Sequence, residues 1–312
     1  MVGKKFAIIG SGSWGTALAC MLSRAAGAAL IYTKEARLAD EINNHHTNSK
    51  YLPNTNLPSD VTATANFDDV LEYEFIVIAV PSYAFDGIID KLQKCQLTSN
   101  AVLLIASKGM SSQPLQLFSS TINSKLKNNF AFIHGPNFAR EVAIGERATI
   151  TVSCEDESIC KDIIHQIKSK QIEAESTSDI MTVQIASMTK NIFAIKSGIM
   201  QSSGDGENLR ASLISQALHE IQILSNKFGG NASSLSLAAV VGDLVLTCYS
   251  KTSRNTKFGY EFHQNNYSKD FLQNYPTLVE GVQSARLLKK LITKLNINLP
   301  IIEEIASLVE DS

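Results

Sequence analysis

Between residue 5 and about residue 175, short and nearly continuous apolar runs alternate with polar or amphipathic stretches. The runs read "KFAIIG", "AALIY", "EFIVIAV", "AVLLIAS", "FAFIHG" and "ATITVS". Apolar strands alternating with helix-length segments predict a mostly parallel sheet covered on both faces. After "QIEAES" the alternation stops. From Asp179 onward the apolar residues recur at helical spacing, as in Met181, Ile185, Met188, Ile192, Ile195 and Ile199, and the remainder reads as an all-α domain. The predicted division is 1–180 and 181–312, with a long helix leading out of the first domain near 176–187. No 20- to 50-residue repeat, low-complexity tract or Pro/Gly-rich linker interrupts this plan.

A chain of 312 residues is long for one core, which agrees with two domains. The net charge of −2 lacks the basic excess of a nucleic-acid binder, so no nucleic-acid partner is expected and any anion must be small and met locally. Five cysteines, odd in number and widely spaced, form no C-x-x-C pair and no zinc-type cluster. A reducing cytoplasm and no metal site are expected. "MVGKKFAIIG" leaves no room for a signal peptide, and no apolar run approaches the roughly 18 to 20 residues of a membrane span.

"FAIIGSGSWGTALACML" places Gly10, Gly12 and Gly15 in G-x-G-x-x-G spacing between an apolar strand and an Ala/Leu-rich helix. In that context the first Gly allows a tight turn and the second lets the backbone approach a pyrophosphate. The third lets helix and strand pack closely. A Walker loop is excluded because Thr16 follows Gly15 directly, and a nucleophile elbow because Ser13 follows Gly12. The expected first domain is therefore a Rossmann-type doubly wound sheet. About 20 residues further on, "LIYTKEAR" ends the second strand near Lys34, which would attract a 2′-phosphate. Glu35 could serve a ribose if the register slips by one. NADP(H) is slightly preferred over NAD(H) on this reading.

Other candidates lie at strand ends and in apolar settings. "VLLIASKGM" puts Lys108 at the carboxyl edge of the sheet, either as a solvated cap or as a ligand contact. "FIHGPNFAREVA" ends a strand at His134 and turns through Gly135 and Asn137 into a helix whose free N–H groups could meet a ligand; Glu141 within it reads as a structural partner. Lys190 lies opposite the apolar stripe among Ala186, Ser187, Ala194 and Ser197. Small residues around a lone lysine suggest that something closely approaches that face. Asp243, in "SLAAVVGDLVLTC", is either a helix N-cap after Gly242 or the partner of Lys190 or Lys108, and shares a face with Thr247 if the helix is continuous. Beyond it, "TCYSKTSRNTKFG" is rich in hydroxyls and cations, either a solvated loop or an anion clamp.

Taken in order, "GSGSWGTALA", "VPSYAF", "SKGM", "GPNFAREVA", "TKNIFAI", "GENLRASLI", "GDLVLTCYSKTSRN" and "LVEGVQSA" resemble the bacterial-type NAD(P)-dependent glycerol-3-phosphate dehydrogenases over nearly the whole chain. The resemblance implies reduction of dihydroxyacetone phosphate to sn-glycerol 3-phosphate for glycerophospholipid synthesis. It implies nucleotide contacts from Ser13, Trp14, Lys34, Tyr51, Lys108, Ala139, Arg254, Leu278 and Glu280, beside the glycines of the loop. It implies substrate contacts from Lys108, Gly135, Asn137, Lys190, Asp243, Ser253, Arg254 and Asn255, with Lys190 at the general acid/base position. The family often has Arg where this chain has Lys34.

The implied chemistry is coherent: an ammonium at Lys190 would polarise a ketone and protonate the developing alkoxide, and Lys108 and Asp243 would tune it in opposite directions. Arg254, with Ser253 and Asn255, would take the substrate phosphate. Ketopantoate reductases and 6-phosphogluconate-type dehydrogenases share the plan, as would an inactive dinucleotide sensor. The "SRN" segment favours a phosphorylated substrate over ketopantoate, and the intact Lys108, Lys190, Asp243 and Arg254 argue against a sensor. Apolar helices of the second domain could furnish a homodimer surface.

Overall fold

Each apolar run of the first half forms a strand. β1 (Phe6–Ile9), β2 (Ala29–Tyr32), β3 (Val61–Thr64), β4 (Phe75–Ile78) and β5 (Val102–Ile105) precede a short hairpin, β6 (Met110–Ser112) and β7 (Leu115–Leu117). β8 (Phe130–His134), β9 (Ala148–Ser153) and β10 (Ile172–Thr177) follow. The computed structural model describes residues 5–95 and 97–310. The eight strands other than the hairpin form one sheet in the order β10-β9-β8-β5-β4-β1-β2-β3. Its pairings are parallel except that of β8 with β9. Every residue of β1, β4 and β5 is buried, as central strands with both faces covered require.

Six helices flank this sheet: α1 (Ser13–Ala26), α2 (Ala36–His45), α3 (Ser82–Lys94), α4 (Phe118–Lys125), α5 (Ala139–Ile144) and α6 (Glu157–Ile167). α1 packs on α5 and α6, whereas α3 meets α4 where Phe85 stacks on Phe118 at 3.7 Å between ring centroids. The chain runs from β1 outward through β2 and β3, then crosses to β4 on the other side of β1. The carboxyl ends of β1 and β4 therefore border the crevice in which open α/β sheets bind ligands.

Two units emerge from the chain. One contains the residues up to Ser111 with Leu117–Ile180, the other Ser112–Gln116 with the residues from Met181 onward. In the second unit the elements are α7 (Ile180–Ser202), α8 (Glu207–Lys227), α9 (Asp243–Tyr249), α10 (Arg254–Gln264), α11 (Lys269–Gln273), α12 (Glu280–Leu295) and α13 (Pro300–Leu308). From Thr182 to Met200 every residue of α7 except Lys196 is buried, which makes it a central helix rather than an amphipathic surface one.

Small residues let the neighbours of α7 approach its backbone. A Cβ on Gly198 would lie 2.0 Å from the Thr256 carbonyl oxygen, and one on Gly259 would lie 2.0 Å from that of Ile195. α10 and α7 thus cross glycine against backbone. On another face Ser197 donates to the Cys248 carbonyl at 2.7 Å, which docks α9. At the far end, the buried Glu220 carboxylate of α8 accepts from the backbone N–H groups of Ile301 (2.6 Å) and Ile302 (3.2 Å), capping α13 behind Pro300.

Candidate active site

The three glycines of the loop differ in what a side chain there would meet. Gly10 has φ of +123°, and a Cβ there would lie 2.4 Å from the Ala79 carbonyl oxygen just beyond β4. A Cβ on Gly15 would lie 1.9 Å from the Gly10 carbonyl oxygen, so α1 can approach β1 only without a side chain. A Cβ on Gly12 would meet no atom within 4 Å. Gly12 occupies the N-cap of α1 with no side-chain capping bond. The cradle is therefore open at the one position where a pyrophosphate would approach, against unsatisfied helix N–H groups. Trp14 at the same helix start carries a buried Nε1–H with no acceptor. These residues fit a dinucleotide.

The end of β2 is more elaborate than the sequence suggested. Thr33 is buried and accepts from Ser11 Oγ at 2.9 Å, Lys34 is exposed, and Glu35 stands at the N-cap of α2. The Glu35 carboxylate accepts two hydrogen bonds from Lys50 Nζ (2.7 and 2.8 Å) and one from the Tyr51 hydroxyl (3.0 Å). The Lys50 ammonium holds the Glu35 carboxyl below its usual range, Tyr51 adding to the effect. Lys50 was not singled out from sequence, and no local pattern marks it.

On the carboxyl side of the same sheet, Lys108 is half-buried three residues beyond β5. A Cβ on Gly135 would lie 2.2 Å from the Thr149 carbonyl oxygen, which accepts from Asn137 Nδ2 at 3.0 Å. Asn137 Oδ1 is buried with no partner. Ala139 opens α5 and packs against the core.

In the helical unit Lys190 lies at the middle of α7 with its side chain 8% exposed. Its ammonium donates to Asp243 Oδ1 and, at 3.0 Å, to Thr247 Oγ1. Asp243 is not an N-cap: a π-helical turn, Ala238–Gly242, runs into α9, and Gly242 has helical φ and ψ of −62° and −49°. The continuous helix puts Asp243 and Thr247 on one face, and Thr247 Oγ1 also donates to the Asp243 carbonyl at 2.6 Å. The small-residue face of α7 is thus met by α9, with an ion pair at the centre of the contact.

The hydroxyl-rich segment resolves into a turn and the start of α10. Ser253 is buried and caps the helix, accepting from Thr256 N at 3.3 Å, which leaves its own O–H as a donor. Arg254 is exposed. Asn255 is buried with Oδ1 accepting from Gly281 N at 3.0 Å, which turns its NH2 into the donor end. Glu280 opens α12 and accepts from Asn191 Nδ2 at 3.1 Å, while Leu278 is 47% exposed. Arg254 also lines a groove of about 720 Å³ with Lys257, Glu261, Phe271 and Tyr275.

A phosphate cradle at the switch point of a parallel sheet suits a dinucleotide, and a buried lysine held by a carboxylate suits proton transfer at a carbonyl. The class is that of nicotinamide-dependent oxidoreductases with a helical second unit. The family model of the NAD-dependent glycerol-3-phosphate dehydrogenase N-terminus matches residues 5–160, and that of the C-terminus residues 179–312. A glycerol-3-phosphate dehydrogenase [NAD(P)+] of Rickettsia bellii is 43% identical over 310 residues, 98% of each chain. The crystal structure of glycerol-3-phosphate dehydrogenase from Coxiella burnetii superposes with a TM-score of 0.92 at 29% identity, covering 99% of this chain and 95% of that one. A ketopantoate reductase of Ralstonia eutropha shares the fold alone, with a TM-score of 0.63 at 15% identity over 98% and 97% of the two chains. This chain belongs to the NAD-dependent glycerol-3-phosphate dehydrogenase family.

Proposed function

We propose that this protein reduces dihydroxyacetone phosphate to sn-glycerol 3-phosphate, reversibly, with NADPH favoured over NADH, and so supplies glycerophospholipid synthesis. The observation that carries the reading is the buried Lys190, fixed by Asp243 and Thr247 on the one helix face that faces α9. The first domain, 1–180, holds the nucleotide and the second, 181–312, the substrate. Gly10, Gly12, Ser13, Trp14 and Gly15 cradle the pyrophosphate side, with Lys34, Tyr51, Lys108, Ala139, Arg254, Leu278 and Glu280 as further nucleotide contacts.

The bound nucleotide supplies hydride to the ketone carbon. Lys190 Nζ donates a hydrogen bond to the ketone oxygen and passes its proton to that oxygen as it becomes an alkoxide. Asp243 and Thr247 aim the ammonium and keep it charged until the proton leaves. Arg254 pairs two phosphate oxygens, while the Ser253 hydroxyl and the Asn255 NH2, each with its acceptor atom already engaged by the fold, add donors. Lys108, Gly135 and Asn137 are the substrate contacts of the first unit.

Five free cysteines, four of them buried, support a reducing cytoplasm. No helix among the described residues is long and apolar enough to cross a membrane. Exposed Leu209, Val245 and Tyr249 on the helical unit support a homodimer, and the charge balance speaks against a nucleic-acid partner. The test is oxidation of NADPH and of NADH followed separately with dihydroxyacetone phosphate or ketopantoate. Turnover with dihydroxyacetone phosphate is expected; none with either nucleotide refutes the proposal.

A further inference from the structure

We infer that Lys50 sets the nucleotide choice of this protein by neutralising Glu35, the carboxylate at the end of β2. In dinucleotide folds a carboxylate at this place accepts from the ribose hydroxyls and repels a 2′-phosphate. Glu35 occupies that place, directly after the exposed Lys34 and at the start of α2. Left alone it would oppose Lys34. Instead, two hydrogen bonds from Lys50 and one from Tyr51 occupy its oxygens and compensate its charge.

The pairing is held by the fold rather than by chance contact of two long side chains. Glu41 of α2 accepts from Thr47 Oγ1 (2.9 Å), Ser49 N (2.7 Å) and Ser49 Oγ (3.0 Å). Asn48, fully buried, donates to the Ser11 carbonyl (2.9 Å) and to Thr16 Oγ1 (2.8 Å) and accepts from Tyr51 N (3.1 Å). Ser13 of the glycine loop donates to the Tyr51 carbonyl at 2.5 Å. Segment 47–51 is thereby stapled to α2 on one side and to the glycine loop on the other, with Lys50 presented at the Glu35 carboxylate. The Lys50 ammonium is in turn held above its usual range, chiefly by Glu35. With Lys50 paired to Glu35, the charge of the adjacent exposed Lys34 is left unopposed, and the local balance favours a nucleotide bearing a 2′-phosphate. Lys50 acts as a positioning and charge-compensating residue, and its effect falls on selectivity rather than on chemistry.

This inference rests on the proposed preference for NADPH and deepens it. The test is the dissociation constants of NADPH and NADH, read from quenching of the single tryptophan, Trp14, in the full-length protein and in Lys50→Met, Glu35→Gln and the double variant. Lys50→Met should weaken NADPH relative to NADH about two- to fivefold, the size of one screened surface charge. The double variant should regain the wild-type ratio because the carboxylate that Lys50 masks is gone. Thermal melts of the variants check that the fold persists. An unchanged ratio in Lys50→Met, or equal weakening of both nucleotides, overturns the inference. Equal affinities in the wild type would instead overturn the NADPH preference, and the shift between wild type and Lys50→Met would still decide the role of Lys50.

Discussion

Lys190 and Asp243, 53 residues apart in sequence, form a buried ion pair that joins the central helix α7 to α9, and Thr247 one turn on from Asp243 completes it. A buried pair of this kind is costly to break from one side, because the remaining charge stays desolvated.

Replacing Lys190 therefore has two separable effects. Lys190→Met should lower kcat by about 10²- to 10⁴-fold, the usual worth of a positioned general acid. It should also cost about 3 to 5 kcal/mol of stability by stranding Asp243. Lys190→Met combined with Asp243→Leu should recover most of the stability in urea titration and none of the turnover. Activity surviving in the double variant would remove Lys190 from the proposed chemistry.

Gly12 and Gly15 differ by three residues and should fail differently. Gly15→Ala would drive a Cβ into the Gly10 carbonyl, an overpacking cost of about 1 to 3 kcal/mol or more. Gly12→Ala meets open space at a φ of −64° and should fold as wild type, yet weaken nucleotide binding about tenfold or more, equivalent to about 1.4 kcal/mol. Circular dichroism melts and nucleotide titration separate the two.

Within "SRN", Ser253→Ala should lose the α10 cap and about 1 kcal/mol of stability. Arg254→Ala, exposed and outside the packing, should leave the melt unchanged and raise the substrate KM about tenfold or more, from the loss of a charge-assisted pair. An unchanged KM returns this segment to a solvated turn.

Glu220 gives stability a pH dependence that has no link to catalysis. Burial raises its carboxyl above the ordinary 4.5, against the opposing pull of the two backbone N–H groups it accepts. Between the unfolded and the higher folded value the native protein holds more protons than the unfolded chain, so this group's contribution to stability falls as pH rises through that interval. Glu220→Gln should flatten that slope while keeping an acceptor for Ile301 N, whereas Glu220→Leu should cost about 1 to 3 kcal/mol at every pH by orphaning the start of α13. Urea midpoints measured across this interval decide it.

The central strands and the glycine loop were legible because their signals are local. β1, β4 and β5 are buried at every residue and so read as unbroken apolar runs, and a G-x-G-x-x-G between strand and helix states its own geometry. The edge strand β3, "VTAT", escaped the pattern because it is four residues long and half of it faces away from the core, so it makes no continuous apolar run. The opposite edge, β10, reads "IEAEST" for the same reason and marked only where the alternation ended. Lys190 was visible as an odd charge among small residues, whereas the identity of what approaches it depended on how α9 continues from a π-helical turn.

The alternation of central strands with helices, the glycine turn after β1 and the family were written in the sequence itself, through periodicity, glycine spacing and an ordered set of motifs. Only the tertiary structure decided that Asp243 answers Lys190, that Asn255 turns its oxygen to Gly281, that Ser112–Gln116 belongs with the helical unit, and that Lys50 masks Glu35. Such pairings join residues whose partners are chosen by how elements pack, as where α7 and α10 approach closely at Gly198 and Gly259 or where segment 47–51 is stapled to α2, and no local pattern of residues encodes them.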